Sequence, residues 1–500
     1  MPLPDHKTKI VATIGPASES PEMLAQLMRA GLNIARLNFS HGEFSQHAEL
    51  IGRLRAAQQA TGRRVAILAD LPGPKMRLGR IDPEPIELRA GEPFTLTTEE
   101  IAGTRQRVSM SFERLPRVVQ PGDRLFLNDG LVQLVVERVA ERDVHCRVAV
   151  GGELRSRKGL NLPGIELGIG AFTDHDRACL EFALRHGADA VSQSFVETAE
   201  DIQAVRAAAA AIGKHPFIIA KIERAGAVQH FDEILEAADG IMIARGDLGV
   251  EVPIEEIAMT QKQLLARANL AGKPVITATQ MLESMVSSRL PTRAEATDVA
   301  NAILDGTDCV MLSAESAVGR YPQEAVAMLA RIAAFTEAHR PQARLDDLRA
   351  ACLQHGPAST AEAIASVVEH ALHTVPCTAV FVPTHTGTTA RMISRFKPPV
   401  WTVALSRDPA VVQGLMFSYG VHPVELPDEP DDWRGLAARW LREEEMAGHT
   451  AILVAGPSAR RPDASHRLEF MRVGEEPGER RYRFRSCSLS ENDPSPCRTT

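Results

Sequence analysis

The chain has 500 residues, 44% of them hydrophobic and 24% charged, an ordinary globular composition too long for one domain, so two or three are expected. A formal charge of −8 gives no electrostatic reason for a nucleic-acid partner, and no apolar run is long enough to span a bilayer. Seven scattered cysteines without a Cys-x-x-Cys pair, and no basic segment leading into an apolar core after Met1, read as reduced thiols in a cytoplasmic protein.

In chain order, short apolar runs at 9–14, 32–39 and 65–70 read as strands, with helical periods at 21–29 and 47–61 between them. Between 71 and 172 the helical period is lost. Alternating runs at 93–98, 124–128, 131–139 and 144–150, broken by Pro-Gly, Asn-Asp-Gly and Gly-Gly turn signals, predict a small inserted β unit. Apolar runs resume at 190–196, 217–222, 241–244, 274–278 and 309–312, among helical periods at 174–186, 199–212, 253–271 and 292–304. Eight strands alternating with helices predict a closed parallel barrel. A further α/β unit follows, with strands at 379–383, 400–405, 421–426, 450–454 and 468–472, and the polar stretch 474–500 reads as disordered. The fold class is therefore α/β: a (β/α)8 TIM barrel (1–73 and 172–342), an inserted small β domain (74–171) and a C-terminal α/β unit (343–473).

Chemistry in such a barrel belongs at the C-terminal ends of the strands. Polar residues recur there: Arg36, Asn38, Ser40 and His41 after the second strand, Asp70, Lys75 and Arg77 after the third, Lys221 and Glu223 on the fifth. Gly246 and Asp247 follow the sixth, Thr279 the seventh, and Ser313 and Glu315 the eighth. Glu223 and Asp247 are hard oxygen donors on neighbouring strand ends, a pattern that suits Mg²⁺. Lys221 shares a strand face with Glu223, and with Arg36 and Arg77 it makes a clamp for a phosphoryl group. Taken singly these residues have bland readings. Lys-x-Glu is commonly a surface pair, Arg-Gly-Asp a loop, Asp70 a turn former, His41 a helix-start residue, and Ser313 and Glu315 satisfied polar groups closing the barrel. Their convergence on one end of one barrel favours chemistry.

Six segments carry a resemblance: TKIVATIGPAS at 8–18, ARLNFSHG at 35–42, KGLNLPG at 158–164, IAKIE at 219–223, MIARGDLG at 242–249 and TATQMLESM at 277–285. With these the chain resembles the pyruvate kinase family over residues 5–473, and that resemblance implies that the inserted unit is a small β-barrel lid domain and the C-terminal unit an α/β regulatory domain. The resemblance implies transfer of the phosphoryl group of phosphoenolpyruvate to ADP, giving pyruvate and ATP, with Mg²⁺ (or Mn²⁺) held by Glu223 and Asp247. It implies that Lys221 stabilises the phosphoryl group in flight and Arg36 binds the phosphate. The N–H groups of Gly246 and Asp247, with the Thr279 hydroxyl, would grip the carboxylate. Thr279 would help deliver a proton, with Ser313 and Glu315 in the relay, and Asn38, His41, Arg77 and Lys158 would contact the nucleotide. A homotetramer is implied on the same ground.

One departure stands out. The family's K⁺ pocket corresponds to Asn38, Ser40, Asp70 and the Leu71 carbonyl, and K⁺-requiring relatives carry Glu where this chain has Lys75 and Thr where it has Leu71 and Leu78. The tethered Lys75 ammonium can supply the cation's charge, so activity without K⁺ is expected. In the C-terminal unit, Thr384, Thr386, Gly387, Thr388 and Thr389 precede a helical run, a loop like one that holds an activator's phosphate in the family. The second effector loop lacks the usual glycines but has Arg460 and Arg461, which leaves three alternatives for the activator: a monophosphate sugar, a nucleotide or none. Two rival readings fit the residues less well. A metal-dependent lyase on pyruvate enolate needs neither Lys221 nor Lys158 nor a β lid, and a silent sensor on a dead barrel would have lost the metal ligands or the lysine.

Overall fold

The computed structural model describes residues 3–128, 130–340, 359–457 and 463–473. The predicted disorder of 474–500 and the Arg460–Arg461 pair fall outside these residues. Three strands open the chain, β1 (Lys9–Thr13), β2 (Leu32–Asn38) and β3 (Ala66–Leu71). Eight follow before the barrel resumes: β4 (Ile86–Leu88), β5 (Pro93–Thr97), β6 (Arg107–Ser109), β7 (Arg124–Leu127), β8 (Val132–Val139), β9 (Asp143–Val150), β10 (Gly152–Leu154) and β11 (Leu160–Asn161). The barrel then continues with β12 (Ala190–Gln193), β13 (Phe217–Ile222), β14 (Gly240–Ala244), β15 (Val275–Ala278) and β16 (Cys309–Leu312). The last five are β17 (Ala379–Pro383), β18 (Trp401–Ser406), β19 (Val421–Glu425), β20 (Thr450–Ala455) and β21 (Arg467–Arg472).

Among the described residues, eight strands close a barrel in the order β1-β16-β15-β14-β13-β12-β3-β2. Strands of a parallel sheet covered on both faces are apolar throughout rather than alternating. β3, β14 and β16 are indeed buried along their whole length. Inside the barrel Val11, Ile34, Leu68, Ile219, Met242, Ile276 and Met311 form one core, and the larger core lies between strands and helices. Helix starts follow their capping signals, as where Ser20 accepts from the Met23 N–H and Thr292 from the Glu295 N–H.

Two local differences from the sequence reading have physical causes. The run read as a strand over 190–196 leaves the sheet at Gln193, because Phe195 takes a left-handed φ of +59°. The helix read over 253–271 is split into a 3₁₀ turn, Ile254–Glu256, and an α-helix, Ile257–Leu270, after Pro253. The inserted strands form a six-stranded sheet, β11-β7-β8-β9-β5-β6, beside the β10-β4 pair, around a core of their own. One helical turn, Leu115–Val118, interrupts this stretch that reads as free of helical period.

The C-terminal sheet runs β19-β18-β17-β20-β21, with β21 antiparallel to β20. The turn Leu415–Phe417 from this unit closes the N-terminal mouth of the barrel, where Met416 and Phe417 join the interior core and Phe417 stacks on Phe217 at 5.2 Å. A cavity of about 540 Å³ lies at this same end, lined by His6, Lys9, Arg63, Trp401 and His422 among others, away from the catalytic-type strand ends. No described helix is long and apolar enough to cross a membrane.

Candidate active site

The barrel register sets the site. Asn38 pairs with Asp70 across β2 and β3, and Ser192 pairs with Asp70 across β12 and β3. The buried Asp70 carboxylate is the hub. Its Oδ2 accepts from Arg36 Nε at 3.0 Å and Nη2 at 2.5 Å, and its Oδ1 accepts from the Ser192 hydroxyl at 2.6 Å. Arg36 also donates to the Thr13 hydroxyl at 2.7 Å. Lys221 Nζ lies 3.5 Å from Asp70 Oδ1 and 2.7 Å from Glu223 Oε1, and it donates to the Ser194 hydroxyl at 2.6 Å. Glu223 Oε2 accepts from the Phe195 N–H at 2.8 Å, so the left-handed turn that ends β12 aims a donor at this carboxylate.

The charges in this cluster hold one another. Burial would raise the Asp70 carboxyl, but Lys221, Arg36 and the Ser192 hydroxyl outweigh it and keep it below the ordinary range. Burial would lower Lys221, yet Asp70 and Glu223 hold it above the usual lysine value, so the ammonium stays charged. Glu223 is pushed up by burial, against the pull of Lys221 and with the added repulsion of Asp247.

Asp247 and Gly246 sit in the first turn of the helix Arg245–Glu251, which begins where β14 ends. A Cβ added at Gly246 would meet Thr279 Cγ2 at 2.6 Å, so the Thr279 side chain packs directly on the Gly246 backbone. Thr279 and Gln280 both adopt left-handed φ values, +73° and +56°. The buried Glu315 carboxylate accepts from the N–H groups of Leu282 at 3.1 Å and Ser313 at 2.7 Å. It thus grips two loop backbones.

Three further groups take their places around this centre. Asn38 Oδ1 accepts from the Ser40 N–H at 3.1 Å, and the Leu71 side chain is fully buried in the barrel core. Arg77 forms a bridge with Gly159, next to Lys158, at the base of the inserted sheet. His41 is held below the ordinary histidine value by partial burial and by the charges of Arg77, Lys75 and Arg36, which draws Lys75 into the same cationic neighbourhood. The residues expected to form an effector loop stand apart in the C-terminal unit. There Thr384 accepts from the Gly387 N–H at 2.9 Å, the Thr386 and Thr388 hydroxyls lie 2.9 Å apart, and Thr388 and Thr389 open the short helix Thr388–Ser394.

Mg²⁺ is commonly held by one or two carboxylates, with the rest of its shell from substrate and water. Among the described residues no group of three or more His, Cys, Asp or Glu could hold a metal. The Glu223 and Asp247 pair meets the smaller requirement, and a buried carboxylate repelled by a second, half-buried one is the donor set a hard cation relieves.

Sequence reasoning missed Ser192, Ser194 and Thr13. Ser192 and Ser194 lie two apart at the end of an apolar run, the spacing that puts both on one strand face, and that signal could have found them. Thr13 at the end of β1 carries no comparable mark.

The chain matches the family models for the pyruvate kinase barrel domain over residues 5–326 and for the pyruvate kinase alpha/beta domain over residues 362–469. It is 50% identical over 424 residues to a pyruvate kinase of Thermococcus litoralis, covering 85% of this chain and 89% of that one. It is 43% identical over 428 residues to a pyruvate kinase of Geobacillus stearothermophilus, covering 84% and 72%. Among solved structures, a pyruvate kinase from Cryptosporidium parvum superposes with a TM-score of 0.87 at 36% identity, over 94% of this chain and 97% of that one.

Proposed function

The chain belongs to the pyruvate kinase family, enzymes that transfer the phosphoryl group of phosphoenolpyruvate to ADP, and from that premise we propose a division of labour among its own residues. The observation that carries it is the buried Lys221, wedged between Asp70 and Glu223 with Arg36 on the far side of Asp70. Phosphoryl transfer asks mainly for positioning and for charge neutralisation around the moving group. Arg36 binds the phosphate of phosphoenolpyruvate, and Lys221, fixed by Ser194, faces the phosphoryl group in transit. The N–H groups of Gly246 and Asp247, with the hydroxyl of Thr279, whose methyl packs on Gly246, hold the substrate carboxylate. Thr279 positions the proton donor, a water, for the methylene carbon, with Ser313 at the end of the neighbouring strand and Glu315 bracing the loops. His41, Asn38, Arg77 and Lys158 take the nucleotide, and the inserted unit (74–171) closes over it and excludes water. Glu223 and Asp247 would hold Mg²⁺, which when bound draws substrate oxygens together and offsets their charge.

The same reading extends to K⁺. Asp70, the carboxylate of the family's monovalent-cation pocket, already has both oxygens taken by Arg36, Ser192 and Lys221. Lys75 adds positive charge beside His41. A second monovalent cation is therefore redundant here, and the enzyme works without K⁺. In the C-terminal unit (343–473) the loop 384–389 adjoins a pocket lined by His385, Arg407 and Trp433, which supports a phosphate-ester effector, a sugar phosphate or a nucleotide. Exposed apolar side chains at Ile254, Met259, Leu290 and Val318 support self-association, for which we propose a homotetramer in the cytoplasm.

One assay tests these statements: pyruvate formation from phosphoenolpyruvate, ADP and Mg²⁺ in sodium buffer, repeated with K⁺ and then with sugar phosphates and nucleotides. Equal rates with and without K⁺ are expected, along with a shift of the phosphoenolpyruvate saturation curve by a phosphate ester. Turnover only with K⁺ removes the Lys75 reading, an unshifted curve removes the effector, and no turnover at all removes the assignment of this site.

A further inference from the structure

The turn after β15 is held in a conformation it would not choose. Thr279 and Gln280 are consecutive non-glycine residues with left-handed φ, and Thr279 is β-branched, for which that region is especially unfavourable. Such a turn persists only where neighbours over-determine it, and the strongest grip on it comes from Arg245. Its Nε donates to the Ala278 carbonyl at 3.2 Å and its Nη2 to the Thr279 carbonyl at 2.9 Å. The remaining nitrogen, Nη1, reaches Asp298 Oδ2 at 2.7 Å and Oδ1 at 2.8 Å, and Gln261 Oε1 at 3.4 Å. Asp298 belongs to the helix Arg293–Asp305 and Gln261 to the helix Ile257–Leu270, so the guanidinium is anchored on two outer helices while it holds two consecutive carbonyls of the turn.

We infer that Arg245 is the positioning residue for Thr279: anchored on Asp298, its guanidinium locks the left-handed turn that puts the Thr279 side chain beside Gly246. A lysine cannot replace it, because a single ammonium does not span two carbonyls and a carboxylate at fixed angles. Arg245 heads the helix that carries Gly246 and Asp247, so the clamp also ties the end of β14 to the turn after β15. The inference rests on the reading that Thr279 takes part in protonating the methylene carbon.

The test compares Arg245→Lys, Thr279→Ala and the double variant in the full chain. Turnover is measured alongside exchange of the methyl hydrogens of pyruvate with deuterated water in the presence of Mg²⁺ and ATP, the same proton step run backwards. Arg245→Lys is expected to slow turnover and exchange together by about tenfold or more, with the KM for phosphoenolpyruvate moving less than about threefold. In the Thr279→Ala background Arg245→Lys should slow exchange no further. Asp298→Asn, which loosens the anchor from outside the site, should give the same pattern at smaller size and serves if Arg245→Lys does not fold. If Thr279→Ala is impaired but Arg245→Lys and Asp298→Asn are not, the inference fails and the Thr279 reading stands. If Arg245→Lys costs as much in the double variant as alone, Arg245 acts elsewhere and the inference fails. If Thr279→Ala keeps wild-type turnover and exchange, the Thr279 reading falls, and the inference with it.

Discussion

Asp70 shows how one side chain organises a charged site. Five groups converge on its two oxygens or their neighbours: two guanidinium nitrogens, one ammonium, one hydroxyl and, through Arg36, the Thr13 hydroxyl. A buried carboxylate tolerates that environment only because each lone pair finds a donor. Ser192 is the neutral member of the set, so it can be removed without adding or deleting a charge. Ser192→Ala leaves Asp70 Oδ1 with Lys221 at 3.5 Å as its nearest remaining partner. Loss of a buried hydrogen bond to a charged acceptor costs about 1–3 kcal/mol. The variant should therefore lose that much unfolding free energy, read as a lower denaturant midpoint at unchanged m-value. Because Asp70 orients Arg36, the KM for phosphoenolpyruvate should rise more than kcat falls. An unchanged unfolding midpoint together with an unchanged KM would remove Ser192 from the site.

At the scale of elements, the barrel places its candidate site residues on the last residues of its strands or just beyond them. β14 stops at Ala244, and the chain turns straight into the helix whose first turn carries Gly246 and Asp247. Gly246 is required by proximity, since a Cβ there would stand 2.6 Å from Thr279 Cγ2. Gly246→Ala must push the strained Thr279 turn outward. A displacement approaching 1 Å at a positioning group costs on the order of 100-fold in rate. We expect a drop of about that size in kcat/KM for phosphoenolpyruvate, with folding intact by circular dichroism. Retained activity would mean that the turn yields without cost. Much of this was legible in the sequence. Glu223, Asp247 and Lys221 were marked by being charged at the ends of apolar runs, a contrast that periodicity exposes. The eight barrel strands were marked the same way. Arg245 was not, because it reads as part of Arg-Gly-Asp, and nothing local says that its guanidinium turns away to hold a turn thirty-odd residues downstream. The early end of β12 was hidden as well. Apolar residues continue through Val196, and only the left-handed Phe195, a tertiary outcome, stops the strand.

The whole molecule is joined at the barrel's other end. The turn Leu415–Phe417 fills the N-terminal mouth, and beside it lies a buried ion pair, Lys397 Nζ to Asp308 Oδ1 at 2.7 Å. Asp308 immediately precedes β16 and also accepts from the Tyr419 N–H at 2.9 Å and the Val275 N–H at 3.1 Å, so one carboxylate ties the barrel to the C-terminal unit. Burial outweighs the attraction of Asp308 and draws Lys397 below the ordinary lysine value. The pair is therefore a modest source of stability compared with an apolar contact of the same shape, and its weight appears when one member is removed. Lys397→Met strands a buried carboxylate that keeps two backbone donors but loses its cation. Breaking such a pair costs about 3–5 kcal/mol. That loss falls on the contact between barrel and C-terminal unit, while the packing within each is untouched. Calorimetry should accordingly show the C-terminal unit melting at lower temperature, as a transition separated from that of the barrel. Activity at the far end of the strands should persist below that first transition. A single transition at the wild-type temperature would show that the plug of Met416 and Phe417 holds the two units together without the ion pair.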